Sequence, residues 1–425
     1  MCNGGYGGAA RGVRRRGKRP HRMTPNSNSE VPHKDLSRVP KARSAVRALP
    51  ASKIREIANA GFGRDDILRF WFGESLQPTP DYIKDAAIGA LRDGRTFYSH
   101  NNGIAELRVG LARYLTRLHG QRIADDRISV TSSGVSALNI AMQTVLDPGD
   151  EVVVVTPIWP NVAGIPQILG ARVTRVSIDY RDGKWALDLD RLLAAVTEKT
   201  RLLIVNSPNN PTGWMLPEGD RLPILEHCRK LGVWLLADDV YERLVLGDAT
   251  GPAPSFLALA DPRDRVIGAN SFSKAWLMTG WRLGWLVAPS ELEEDLSKLI
   301  EFNTSCAPEF IQAAGLAAIE SGEAYVAALR DDLTARRDAL VARLSDLAGL
   351  DLPVPEGGMY LFFRRSGERD SVSVAKRLIA EAGLGLAPGA AFGPEGEGWL
   401  RWCFATDPDT LGLGAEKFAA WHVRR

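Results

Sequence analysis

Five short apolar runs each pass directly into a polar or aromatic cluster, and this recurrence limits the possible folds more than any other feature. The clusters are SSGVS (132–136), TPIWP (156–160), NSPNNPTG (206–213), DDVY (238–241) and SFSK (271–274). The runs before them are Ile128–Thr131, Val152–Thr156, Leu202–Asn206, Trp234–Ala237 and Val266–Asn270, and Leu283–Ala288 is a sixth. Most are nearly unbroken in Val, Ile and Leu. A strand with one wet face alternates polar and apolar residues, so unbroken runs predict strands buried on both faces. Helical stretches such as Val135–Leu146 and Leu222–Leu231 lie between them and are long enough to cross over a sheet. The expected fold class is therefore α/β, with a mostly parallel central sheet flanked by helices. Ligands of such sheets bind beyond the carboxyl ends of the strands. Five clusters in that position predict one site at one sheet edge.

A chain of 425 residues exceeds what one hydrophobic core usually serves. Residues 81–300 read as the large domain. Beyond about Pro289 the pattern changes to long charged helices (ELEEDLSKLIEF, EAYVAALRDDLTARRDALVARLSDL) and then short strands (GGMYLFFRR, GWLRWCFA). This change predicts a smaller α+β domain over 301–425, with 46–80 an arm joining it. Residues 1–45 read as a disordered basic tail or an over-long start, being rich in Gly, Arg, Pro and Ser and poor in large apolar residues. Up to Arg22 that tail holds Arg11, Arg14, Arg15, Arg16, Lys18 and Arg19 and no acidic residue.

The formal net charge of +2 carries no polyanion-binding signature, so no nucleic-acid partner is expected. The four cysteines are scattered without a CxxC pair, which predicts neither a disulfide framework nor a metal site. No apolar run approaches the ~20 residues that span a bilayer, and no apolar stretch follows the basic N-terminus as in a secretory signal. A cytoplasmic protein without a membrane partner is the expectation.

Chemistry concentrates in the clusters. Ser133, Gly134 and Val135 open a predicted helix, whose free N–H groups and dipole would cradle a phosphate; the plainer reading is a helix cap. Asn210-Pro211-Thr212-Gly213 reads equally as a turn. Asp238 closes an apolar strand, where a carboxylate is costly unless paired; a cap is the alternative. Lys274 follows two hydroxyls, Ser271 and Ser273, and Arg282 comes soon after in GWRLGW. These are the parts that would hold a dianionic phosphate beside a reactive amine.

In these residues the chain resembles the class I/II aminotransferases, of the fold-type-I pyridoxal-phosphate superfamily. The likeness runs from roughly Phe70 to the C-terminus. S271-F-S-K274-x7-R282-L-G is highly specific for that family, while N-x-P-N-N-P-T-G and D-x-x-Y are moderately so and occur in the family's order.

The resemblance implies pyridoxal 5'-phosphate as cofactor and roles for individual residues. Lys274 would join the cofactor's aldehyde covalently. Asp238 would keep the pyridine nitrogen protonated, and Tyr241 and Asn210 would hydrogen-bond the ring hydroxyl. Trp159 would stack on the ring. Ser133, Gly134, Val135, Ser271 and Arg282 would hold the phosphate, with Ser273 a helper. Tyr98 resembles the tyrosine that reaches the neighbouring subunit's phosphate, which implies a homodimer with shared active sites. Arg401 in GWLRWCF would grip the substrate's α-carboxylate, helped by Asn210 and by Gly73 in WFGESLQPTP. That loop departs from the family's G-E-P-D-F form, so its contacts to substrate are the part least supported by the likeness.

The implied activity is amino-group exchange between an amino acid and a 2-oxo acid. A carbon–sulfur lyase or another reaction on the same cofactor shares these residues. An aminotransferase-like transcription regulator would need a helix-turn-helix module of some 60 residues before the core, and the N-terminal segment lacks helical periodicity.

Overall fold

The computed structural model describes residues 41–424, and from Ser44 onward the chain forms one compact unit. Seven strands build its main sheet: β1 (Ile128–Thr131), β2 (Glu151–Thr156), β3 (Arg172–Ser177), β4 (Thr200–Asn206), β5 (Trp234–Asp238), β6 (Val266–Ser271) and β7 (Gly284–Val287). Their order is β1-β7-β6-β5-β4-β2-β3. Every neighbouring pair is parallel except the two made by β7, which runs against both β1 and β6.

The unbroken apolar runs have a direct cause. Val153, Val155, Leu203, Val205, Leu235 and Ala237 point into one core, and Val152, Val154, Leu202, Ile204 and Leu236 into another on the opposite face. Helices α1 (Ala105–His119) and α4 (Glu218–Leu231) cover the first face. Helices α2 (Gly134–Val145), α3 (Pro160–Leu169) and α5 (Glu293–Thr304) cover the second. Each fully buried Val, Ile or Leu contributes roughly 1.5–3 kcal/mol of transfer free energy, so neither face tolerates a polar substitution. Strand β3 was not expected. It lies at the sheet edge, its residues RVTRVS alternate, and most stay partly exposed.

Because β1, β2, β4, β5 and β6 are parallel, all five polar clusters emerge at the same edge. The reversed strand β7 starts there instead of ending there, which places Arg282 at that edge too.

A second sheet of four antiparallel strands follows: β8 (Leu350–Asp351), β9 (Tyr360–Arg365), β10 (Ala387–Pro388) and β11 (Trp399–Cys403), in the order β8-β9-β11-β10. The helix α6 (Glu323–Ser345) precedes it. Its core holds Phe362, Phe363, Trp402 and Phe418 and also takes in Ile54, Ile57, Phe70 and Trp71. Leu68–Arg69 pairs in parallel with Leu384–Gly385, so the segment before Gly73 is anchored against the C-terminal part of the chain. Most of the expected tail, residues 1–40, lies outside the described residues.

Candidate active site

At the end of β1 the Ser133 hydroxyl accepts a hydrogen bond from the Ser136 N–H at 3.0 Å and caps α2. The remaining N–H groups of that first turn face a cavity of about 210 Å³. The backbone passes very close here. A Cβ on Gly134 would sit 2.8 Å from the Ser271 Cβ, and one on Gly284 would sit 2.6 Å from the Gly134 nitrogen. A side chain at either position would fill the cradle.

Ser271 and Ser273 hydrogen-bond through their hydroxyls at 2.8 Å. An Arg282 NH group donates to the Thr279 carbonyl at 2.5 Å and approaches the Ser273 hydroxyl at 3.5 Å. Arg282 adopts φ +57°, a left-handed conformation unusual for a side-chain-bearing residue and typical of positions held for function. Two hydroxyls, a helix start and a guanidinium thus line one end of the cavity, which suits a phosphate dianion.

Lys274 is partly buried, and its Nζ donates to the Gly73 carbonyl and lies 5.9 Å from the centre of the Tyr241 ring. Loss of water around the amine is the largest influence on it and pushes its pKa down to about 8. Asp238, at the end of β5, is 5% exposed. Its carboxylate receives one long hydrogen bond, from the Val240 N–H at 3.4 Å, and no ion pair among the described residues involves it. Burial, with Asp239 adding to it, raises its pKa to about 7. A buried carboxyl in this state calls for a cationic partner from outside the chain.

On the other side of Lys274, Arg401 is 2% exposed and packs between the rings of Tyr360 and Phe392, at 4.4 and 4.9 Å. It donates to the Asn210 side-chain oxygen at 3.0 Å and to the Trp71 carbonyl at 2.6 Å, while its Nε has no hydrogen-bond partner. The Tyr241 and Tyr360 hydroxyls lie 2.6 Å apart, and the Asn210 amide reaches Tyr241 at 3.5 Å. Gly73 is required by this packing, since a Cβ there would sit 2.0 Å from the Tyr360 hydroxyl.

The cavity is lined by Gly134, Val135, Trp159, Asn210, Asp238, Tyr241, Ser271, Ser273, Lys274 and Arg282, all residues singled out from the sequence. Ser133 joins them as the cap of the same helix start. Gly73 and Arg401 join through their contacts with Lys274 and Asn210. Tyr98 is not brought to this cavity and stands 87% exposed. Asn206 and Asn270 belong to the site but were not picked out as site residues, while Tyr360, which the sequence offers as a side-chain pocket residue or as packing, meets Tyr241 there. Asn206 holds the Asn210 N–H at 2.9 Å and the Asp238 carbonyl at 2.9 Å. Its position at the head of NSPNNPTG was the available signal. Among the described residues no group of three or more His, Cys, Asp or Glu could hold a metal ion, and no helix is long and apolar enough to cross a membrane.

Comparison with known proteins gives consistent matches. The family model described as aminotransferase class I and II matches residues 65–418. An aspartate aminotransferase of Pyrococcus horikoshii is 31% identical over 369 residues, covering 86% of this chain and 93% of that protein. Among solved structures, a single mutant of Thermus thermophilus aspartate aminotransferase superposes with TM-score 0.84 at 32% identity, covering 90% of this chain and 100% of the other. An aromatic aminotransferase from Pyrococcus horikoshii superposes with TM-score 0.78 at 31% identity, covering 87% of this chain and 99% of the other.

Proposed function

The chain belongs to the class I and II aminotransferases and transfers amino groups, and on that premise we propose that it exchanges them between amino acids and 2-oxo acids on pyridoxal 5'-phosphate held at Lys274. One observation carries the residue assignment. The site that holds the partly buried lysine also holds a buried carboxylate, Asp238, and a buried guanidinium, Arg401, and among the described residues neither has an oppositely charged partner. A cationic ring nitrogen complements the first and a substrate carboxylate the second. The phosphate end of the cavity completes the fit.

When bound, the cofactor supplies an aldehyde that condenses with amines and a ring that takes up the electron pair left at the substrate's Cα. The protein does the rest. Arg401 binds the α-carboxylate through a planar fork, which fixes the direction of the Cα–H bond. Lys274 Nζ would be the group that removes the substrate's Cα proton and later returns it. A pKa near 8 leaves an appreciable neutral fraction for that task. Asp238 would keep a proton on the ring nitrogen, and Tyr241 with Asn210 would hold the ring hydroxyl. Trp159 would flank the ring. Ser133, Gly134, Val135, Ser271, Ser273 and Arg282 would anchor the phosphate.

Incubation with a panel of amino acids and 2-oxoglutarate tests the reaction. Glutamate formation supports transfer, whereas pyruvate and ammonia released from cystathionine would mark a carbon–sulfur lyase instead. The exposed Phe97 and Tyr98, 80% and 87% accessible, support a homodimer in which Tyr98 reaches the other subunit's phosphate. Among the described residues, Cys228, Cys306 and Cys403 are free and buried, which fits a reducing compartment such as the cytoplasm.

Two further outcomes follow from the geometry. Tyr360→Phe removes the hydroxyl that meets Tyr241, a buried hydrogen bond worth about 1 kcal/mol, so transfer should slow about fivefold with the circular-dichroism spectrum unchanged. A rate within twofold of the parent removes Tyr360 from the site. The second concerns pH. Asp238 titrates at about 7 in the folded chain and roughly 4 in an unfolded one, so between these values the native state binds the extra proton. Its contribution to stability is therefore lost as pH rises through that window. A cationic partner offsets this penalty at the upper end. Cofactor should raise Tm more at pH 7.5 than at pH 5.5, and Asp238→Asn should shrink the difference. An equal Tm gain at both pH values contradicts the pairing.

A further inference from the structure

Behind the cofactor cavity lies a buried acid–base pair to which the mechanism above assigns no part. His119, the last residue of α1, and Glu242, just past β5, have side chains 2% and 3% exposed. The His119 Nε2 and one Glu242 carboxyl oxygen, Oε2, lie 3.6 Å apart, and each is a buried polar atom without a hydrogen-bond partner. The surrounding charges are engaged elsewhere. Arg243 is held by both Glu323 oxygens and the Tyr114 hydroxyl, Arg221 by Glu218 and the Ser255 carbonyl, and Asp239 by the Ser255 hydroxyl. Two facing orphaned atoms, a nitrogen and a carboxyl oxygen, lie slightly beyond hydrogen-bond distance, and a small approach would let one proton satisfy both ends.

The other oxygen of Glu242, Oε1, leads to the active site. It accepts a hydrogen bond from the Asn270 side-chain NH₂ at 2.6 Å, and the Asn270 side-chain oxygen, Oδ1, accepts the Ser271 N–H at 2.7 Å. Asn270 and Ser271 both line the cavity. We propose that His119 and Glu242 share one proton and, through Asn270, act as positioning residues for the cavity wall that carries Ser271. The inference rests on the reading of that cavity as the cofactor site.

The directions of the hydrogen bonds give the reason. With the proton on Oε2 and directed at a neutral His119, Oε1 is left as a pure acceptor. Asn270 must then present its NH₂ to Glu242 and its oxygen to Ser271, so one orientation of a reversible amide is selected. Burial favours these charge states, pushing His119 down to about 4 and the Glu242 carboxyl well above its ordinary range. Removal of Glu242 frees the Asn270 amide to turn and loosens the Ser271 backbone that faces the phosphate.

The test is a titration of cofactor into cofactor-free protein, followed by absorbance, for the parent, Glu242→Leu and Glu242→Gln. Glu242→Leu fills much of the same space without the acceptor and should weaken binding about tenfold. Glu242→Gln can still accept from Asn270 and donate to His119, and should stay within about threefold of the parent. A role as mere filling predicts the opposite order. Glu242→Leu binding as tightly as the parent, or Glu242→Gln falling as far as Glu242→Leu, overturns the proposal. Should Glu242→Leu fail to fold, His119→Leu decides: at least threefold weaker binding supports the relay, and unchanged binding overturns it. Failure of the parent itself to bind cofactor would refute the cavity assignment instead, so the two failures are distinguishable.

Discussion

Replacing Lys274 by alanine should leave a folded protein whose amino transfer is slower by about four orders of magnitude or more. The size follows from two losses at one atom. In the proposed reading, Lys274 Nζ is both the amine that would join the cofactor and the base for the substrate's Cα proton. General-base catalysis alone contributes about 10²–10⁴. Covalent attachment adds the advantage of exchanging one amine for another at a centre already activated. The fold should survive, because the amine's hydrogen bond is to a single loop carbonyl, that of Gly73, and the β6 strand before it stays buried on both faces. The measurement is steady-state transfer from a good donor to 2-oxoglutarate, with circular dichroism as the check on folding. Activity within a hundredfold of the parent would remove Lys274 from its role.

Asp238→Ala should be the next most damaging change, lowering kcat by about a thousandfold while cofactor still enters the cavity. The carboxylate sits at a buried strand end with no cationic side chain among the described residues paired to it, and a positive ring nitrogen would relieve its burial. In the proposed reading, Asp238 is the residue that would hold a proton on the ring nitrogen, and the alanine variant would lack it. A loss of about 4 kcal/mol of transition-state stabilisation matches a charge interaction in a site from which water is excluded. The variant should lose more in kcat than in KM, since Arg401, the residue proposed to bind the substrate, is untouched. A variant with nearly native kcat contradicts the electrostatic role. An Asp238→Ala protein more stable than the parent without cofactor is compatible with it, because a buried unpaired carboxyl has been removed.

Much of this was legible before any coordinates, for a physical reason. Val152 to Val155 alternate between two cores, so the sheet's double burial is written in consecutive residues. The parallel strands then carry their terminal clusters to one edge without further information. What escaped notice depends on distant segments. Strand β3 lies at an edge and alternates, so its pattern is weaker. Tyr360 sits on the four-stranded sheet and meets Tyr241 across 119 positions of chain, a contact with no local signature. Asn270 looked like the last residue of a strand, and its bond to Glu242 became visible only in three dimensions. Arg401 is singled out only by family likeness. The structure adds the reason it is suited to a carboxylate, namely a guanidinium stacked between two rings with its Nε unpartnered.

The central claim is that Lys274, and no other amine, carries the cofactor. Borohydride reduction of the protein with pyridoxal 5'-phosphate, followed by proteolysis and mass mapping, tests it directly. The account predicts the label on the peptide that contains Lys274 and none on that segment in Lys274→Ala. A label found on a different lysine, or active protein that yields no reduced adduct, would contradict it.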